Sequence, residues 1–423
     1  MNKVQKFLAL TLGLTATVAA ALTTGAFAQQ KTKLSLWSHS AGNPTEIGAI
    51  QKIVDAFNAK QGKYEVAIEA FPQASYNDSV SAASVAGSLP CIIDMDGPTV
   101  PNFAWSGYLQ PLPLSASLIS QISPASVGRY NGKVYSVGQF DVVLQIFGRK
   151  SILQKYKIRI PTLSKPWKLE EFNNILKTLK ASGAFEFPFD VNPGYGGEWW
   201  PYAYSPMLQS FGGDLIDRSS YQTASKVLNG EAGLAWGKWF QGLFKDKMVN
   251  PTPADDQGFL QGRIPLWYTG SWAANDVVKK YGSDALFLPT VDFGKGPKIG
   301  GASWQWGISK TCKEVAGAGQ FLTYAMQGEQ VALFSNATGL IPTTRAGARL
   351  TKDYATDGKY RTYFDMLKLA VQRPATPAYL TISSQFEKAG VKIRDGGDVQ
   401  NALDDAVDAI NQNIKDNKGY PNK

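Results

Sequence analysis

The stretch KLSLWSHSAGNPTEIGAIQKIVDAFNAKQGKYEVAIEAF, residues 33–71, decides the fold class. Lys33-Leu34-Ser35-Leu36-Trp37 alternates polar and apolar side chains, as a strand with one buried face does. Asn43-Pro44-Thr45-Glu46 then has the make-up of a helix start. Asn43 is suited to cap, Pro44 fits the first helical position, and Glu46 lies three residues after the cap. Ile47, Ile50, Ile53, Val54 and Phe57 recur at helical spacing, and Gly62 ends the run. Residues 64–71 alternate again. Strand, helix and strand in that order predict a parallel pair joined by a right-handed crossover, and with it an α/β fold.

Outward from that unit the pattern returns. Cys91-Ile92-Ile93 reads as a short buried strand, and Asp94-Met95-Asp96-Gly97-Pro98 as the loop at its carboxyl end. Ligands of open α/β sheets sit beyond the carboxyl ends of strands, so the loops after Trp37, Phe71 and Ile93 are expected to share one crevice edge. A second region begins near Val137. Residues 142–147 read as a strand, and residues 167–179 as a helix with Leu169, Phe172, Leu176 and Leu179 on one face. Residues 192–202 hold three glycines and four aromatics and read as a loop. Trp236, Trp239 and Phe240 fall at helical spacing and read as core, and Val399, Leu403, Val407, Ile410 and Ile414 mark a last amphipathic helix.

The first residues carry the marks of an export leader: Lys3 and Lys6, then an apolar stretch to about Ala21, then Ala26-Phe27-Ala28 as a cleavage site. Cleavage after Ala28 leaves a chain of 395 residues, longer than one hydrophobic core usually serves, so two domains are expected. With no cysteine near that site, the mature protein is expected to be secreted without a lipid anchor. The formal charge of +9 is scattered with no basic run, which argues against a nucleic-acid partner. Cys91 and Cys312 are the only cysteines, and an even count in an exported chain favours a disulfide between them over two buried thiols. Eleven tryptophans and eighteen tyrosines, several in Gly/Pro-rich loops, point to a stacking site held by a scaffold.

Four stretches then resemble the extracellular solute-binding proteins of ABC sugar importers, of the maltose-binding-protein type. They are residues 86–112 (from Ala-Gly-Ser-Leu-Pro to Ser-Gly-Tyr-Leu-Gln-Pro-Leu), residues 131–137 (Asn-Gly-Lys-Val-Tyr-Ser-Val), residues 262–272 and residues 300–309, in that order and ahead of Gly339-Leu340-Ile341-Pro342. Departures stand at Cys91, where such proteins often have Asp, and at Phe147-Gly148, where they often have Tyr-Asn. The resemblance implies a two-lobed periplasmic-binding-protein fold, each lobe a mostly parallel sheet flanked by helices, with a hinge at the crossovers. By analogy residues 29–139 and 305–347 form the N-lobe, and residues 140–304 and 348–423 the C-lobe. It also implies a carbohydrate ligand, inner-membrane ABC permease subunits as partners, a monomer in the periplasm, and neither cofactor nor metal.

A sugar receptor needs aromatic faces for C–H groups and carboxylates, amides or Arg for hydroxyls. Trp272, in Thr-Gly-Ser-Trp at a strand end, is the leading stacking candidate; in the resembled family this tryptophan often stacks on sugar. Trp304 and Trp306 lie two apart on a strand and share a face, which is either core or cleft. Of Trp199, Trp200 and Tyr202 at least one is expected at the crevice. Asp96 is a ligand candidate or a turn carboxylate. Asp141, next to the crossover, is suited to hydroxyls or to the hinge. Arg345 is suited to a hydroxyl pair or an anion, or pairs at the surface. His39 and Gln73 sit in the first two crevice loops.

An exported glycoside hydrolase is the competing class. Hydrolysis needs two carboxylates on opposite sides of the bond, and Asp94 and Asp96 share one loop. The lone histidine, and the lack of a Gly-x-Ser-x-Gly elbow, of HExxH and of a Walker motif, leave no other catalytic set. The expectation is a receptor and not an enzyme, with a di- or oligosaccharide or polyol as ligand. The alternative is the same fold around an anionic or sulfonated sugar, a phosphate ester or a polyamine.

Overall fold

A computed structural model describes residues 30–421; the expected leader lies outside the described residues. The chain forms two sheets, each faced by helices. The first contains β1 (Thr32–Ser38), β2 (Tyr64–Ala70), β3 (Ile92–Asp96), β4 (Leu109–Gln110), β5 (Val127–Tyr130), β6 (Lys133–Val137) and β12 (Trp304–Ser309), in the order β2-β1-β3-β12-β6-β5 with β4 beside β12. The second contains β7 (Phe140–Arg149), β8 (Phe189–Asp190), β9 (Leu266–Gly270), β10 (Ala285–Leu288), β11 (Ile299–Ala302), β13 (Ile341–Pro342) and β14 (Ala370–Val371), built around the long central β7.

The opening unit forms as its sequence dictates. Asn43 accepts from the Glu46 N–H at 3.1 Å and its amide reaches back to the Glu46 carboxylate at 3.1 Å, a reciprocal cap on helix Pro44–Lys60. Ile50, Ile53, Val54 and Phe57 face the sheet, and β1 and β2 pair in parallel from Thr32↔Tyr64 to Ser38↔Ala70. Parallel pairing also joins β1 to β3, β11 to β14 and β8 to β9. Elsewhere the sheets are antiparallel, so they are mixed rather than mostly parallel. The reason is topological. β7 and β12 are the strands that carry the chain from one lobe into the other, and each enters its new sheet against the direction of its neighbours.

Three crossings connect the sheets: residues 138–139 between β6 and β7, residue 303 between β11 and β12, and the segment around β13. They touch one another. Gly138 donates to the Ser126 carbonyl at 2.8 Å, Thr343 Oγ1 donates to the Gly138 carbonyl at 2.8 Å, and Ile341 pairs with Asp141. A Cβ on Gly138 would lie 2.8 Å from Ser303 Oγ and from the Trp304 carbonyl, so only glycine lets the first two crossings pass this close.

The C-lobe core is aromatic. Trp236 stacks between Phe240 and Phe386 at 5.4 and 5.2 Å, and the last helix, Val399–Asp416, buries Val399, Leu403, Val407, Ile410 and Ile414. A disulfide joins Cys91, just before β3, to Cys312, just after β12, with Cα atoms 4.3 Å apart.

Candidate functional site

Between the lobes the described structure gathers one buried cluster of ionic side chains. Asp96 ends β3, where the extended strand stops at Gly97-Pro98, and its carboxylate faces the other lobe. Arg373 follows β14 and answers it. Its Nη1 and Nη2 each donate to one carboxylate oxygen of Asp96 at 2.7 Å, the two-pronged geometry a planar guanidinium favours. Arg373 also donates to Glu198 at 2.6 Å, and Glu198 accepts from Tyr379 Oη at 2.6 Å and from Ser383 Oγ. Glu198 directly precedes helix Trp199–Phe211, while Tyr379 and Ser383 come from helix Tyr379–Arg394. Arg373 is only 6% exposed, and its guanidinium carbon lies 5.0 Å from the centre of the Tyr202 ring.

Burial pushes the Glu198 carboxyl up, with Arg373 opposing. Burial lowers the Arg373 pKa, and the carboxylate of Asp96 more than offsets this and holds it above its usual value.

Beside this cluster stands an aromatic wall. Trp272 remains 39% exposed, with ring centres 6.2 Å from both Trp199 and Tyr202. It sits in a turn just past β9, and the position of a Cβ on Gly270 is filled by the Trp272 ring at 1.9 Å. Glycine at the strand end is what lets the indole fold back over it.

The floor lies at the crossings. Gly97 N–H donates to the Ser303 carbonyl at 3.1 Å, Ser303 Oγ lies 3.3 Å from Ser126 Oγ, and Ser126 Oγ donates to Asp141 Oδ1 at 2.8 Å. Burial pushes the Asp141 carboxyl up to about 6 against the hydrogen bonds from Ser123 and Ser126. The buried polar atoms here without a hydrogen-bond partner include Asp141 Oδ2, Tyr202 Oη, Arg373 Nε and, in the first crossing, Gln139 Oε1.

The sequence candidates divide. Asp96, Asp141, Trp199 and Trp272 come together between the lobes. Trp200 does not: residues 199–202 open a helix instead of a loop, and Trp200, 1% exposed, packs on Tyr204 and Phe240 in the C-lobe core. Trp306 is core as well, against Phe321. Trp304 is half-buried and stacks on His39 with ring centres 3.6 Å apart. His39 is itself buried. Nδ1 hydrogen-bonds Asp94 at 2.5 Å and Nε2 stands 3.5 Å from Glu46 as an ion pair without a hydrogen bond, so both ring nitrogens face carboxylates of the N-lobe. Gln73 and Arg345 are exposed at helix starts, and among the described residues neither hydrogen-bonds to the cluster. Arg373, Glu198 and Tyr379 were missed by sequence reading. The usable signal was Gln372-Arg373-Pro374-Ala375-Thr376-Pro377, an arginine held in a stiff two-proline segment.

The model of a bacterial extracellular solute-binding protein matches residues 52–362. The chain belongs to that family. Among curated relatives, the maltodextrin-binding protein MdxE of Bacillus subtilis (strain 168) is 25% identical over 297 residues, 68% of either chain. Among solved structures, the GacH receptor of Streptomyces glaucescens GLA.O, crystallised unliganded and with acarbose, superposes with a TM-score of 0.77 at 21% identity, over 92% of this chain and all of that one. The maltose/maltodextrin-binding domain MalE of Bdellovibrio bacteriovorus, bound to maltotriose, gives 0.75 at 17% identity, over 91% of this chain and all of that one. For this family member the two-lobed α/β fold is therefore established, and the cluster described above lies between its lobes.

Proposed function

We propose that this solute-binding protein captures a carbohydrate of di- or oligosaccharide size between its lobes and delivers it to an ABC permease in the membrane. The observation that carries the reading is Trp272: a large indole left exposed at a strand end, beside Trp199 and Tyr202 and next to a buried set of hydrogen-bonding groups. An aromatic face covers the C–H side of a pyranose, and Asp141, Tyr202 and Arg373 supply acceptor and donor atoms for hydroxyls. The maltodextrin relative and the acarbose and maltotriose complexes of the structural neighbours support the same ligand class.

The lobes as domains follow the sheets, with the hinge at residues 138–139, 303 and 341–343. A ligand touching both lobes favours the closed state by its contacts there. Membership of an extracellular solute-binding family supports capture outside the cytoplasm. A hydrolase is disfavoured, because Asp96 and Glu198 are tied to the same guanidinium and neither is free to move a proton.

The test is a titration of tryptophan fluorescence with mono-, di- and trisaccharides and polyols, with each solution analysed for released sugar. A saturable change with one class and no product is expected. Product release would refute the receptor reading.

A further inference from the structure

We infer that the cleft selects against anionic sugars, and that Asp96 and Glu198 set this selectivity by occupying the one buried guanidinium that would otherwise attract them. The inference rests on the carbohydrate reading above and deepens it to a charge class.

The chain as a whole is basic, with a formal charge of +9, yet the groups between the lobes are not. Arg373 is matched by two carboxylates in direct contact, Asp96 and Glu198. Asp141 adds a third carboxyl at the floor, within electrostatic reach of Tyr202. Between the lobes the three carboxyl groups of Asp96, Glu198 and Asp141 thus outnumber the single guanidinium of Arg373. In a water-poor crevice such an excess repels an anion more strongly than it does in solvent.

Hydrogen-bond polarity points the same way. Asp141 Oδ2 is buried without a partner and needs a donor. A hydroxyl donates to it; a carboxylate or sulfate cannot. Arg373 Nε has no partner, Nη1 is shared by Asp96 and Glu198, and Nη2 meets Asp96 alone. The Nη1–Nη2 fork is occupied by the Asp96 carboxylate, and Glu198 brings a second negative group to the same guanidinium, so its charge is already matched before a ligand arrives. Arg373 is therefore the counter-ion of the cleft and not its anion reader. Arg345, the sequence candidate for an anion, is exposed on helix Arg345–Leu350.

The experiment is calorimetric titration of the exported protein with neutral di- and trisaccharides (maltose, maltotriose, cellobiose, mannobiose) and with the aldonic acid made from each by oxidising its reducing end. For the sugar that binds, its acid is expected to bind at least tenfold more weakly. In Glu198→Gln, which keeps the two-pronged Asp96–Arg373 pair, that gap should narrow to about threefold or less, because one buried negative charge is gone. Asp96→Asn should narrow it as well, and thermal unfolding of both variants confirms that they are folded. An acid that binds the wild type as tightly as its neutral parent, or an unchanged gap in folded Glu198→Gln, overturns the inference and leaves the carbohydrate reading standing. Silence from every sugar, neutral and acidic, overturns the carbohydrate reading and the inference with it.

Discussion

Ser126 Oγ donates to Asp141 Oδ1 at 2.8 Å, and this bond ties the start of β5 to the start of β7 across the first crossing. The second carboxylate oxygen has no partner. A carboxyl in that state resists ionisation, and burial pushes it up to about 6 from 3.8. Between about pH 4 and 6 the folded chain holds a proton that the unfolded chain has released, so this group lowers stability as pH rises through that window. The full difference corresponds to ~3 kcal/mol. Asp141→Asn keeps the oxygen that Ser126 reaches and removes the charge. It is expected to gain about 1–2 kcal/mol over wild type at pH 7.5 and nothing at pH 4. Urea unfolding at the two pH values checks this; a loss at pH 7.5 would show that the carboxylate is compensated in the folded state.

Trp272 and Trp200 allow a matched pair of truncations. Trp272 is 39% exposed beside Trp199 and Tyr202, so Trp272→Ala should change stability by less than about 1 kcal/mol. The same change should weaken sugar binding by about tenfold or more, the worth of a stacked ring. Trp200 is buried against Tyr204 and Phe240, and Trp200→Ala should lose about 3–5 kcal/mol of stability while folded protein keeps its affinity. Calorimetry for binding and urea unfolding for stability separate the two effects. Equal loss of affinity in both folded variants would remove Trp272 from the site.

The contrast between these two tryptophans shows what was legible in the sequence. Residues 33–71 gave the α/β class because helix and strand periods are local, and the cap at Asn43 formed as read. Gly194, Gly196 and Gly197 favoured a loop through residue 202, but Pro201 lies in the first turn of a helix, where it is tolerated, and Trp200 and Tyr204 share one helical face. Asp96 was visible as a carboxylate at a strand end. Its partner Arg373 was not, because the pair spans 277 residues and Arg373 lies in an aperiodic segment. Local pattern places elements well, while pairing across a hinge is set by tertiary geometry that no window of sequence contains.

His39 gives a second pH-dependent test. Burial alone would lower its pKa, but Asp94 and Glu46 outweigh that and hold it above 6.5. The imidazolium therefore stabilises the fold fully below about pH 6.5, and the contribution is lost as pH rises through the folded value. His39→Gln leaves the two acids without their counter-ion. At pH 6 it should cost about 3 kcal/mol, as breaking a buried ion pair does. The gap between variant and wild type should shrink as the wild-type imidazole deprotonates at alkaline pH. Urea unfolding across pH 6 to 10 would show this, and a gap independent of pH would mean that stacking on Trp304 is the whole contribution.

The last test concerns the disulfide, which lies at the far end of β3 from the cleft. Cys91 precedes the strand and Asp96 ends it, and Cys312 follows β12 at the matching edge. The bond closes a segment with a sequence separation of 221 residues. Loop-closure entropy for so long a segment gives ~5 kcal/mol as an upper value, and measured losses for native bridges run about 2–5 kcal/mol. The double variant Cys91→Ser, Cys312→Ser should therefore unfold at lower urea. Its sugar affinity should stay within about twofold of wild type, because the bridge constrains the unfolded chain more than it shapes the carboxyl end of β3. A large drop in affinity at unchanged stability would reverse the assignment. It would mean that strain at the start of β3 reaches Asp96, and that the bridge positions the ion pair with Arg373.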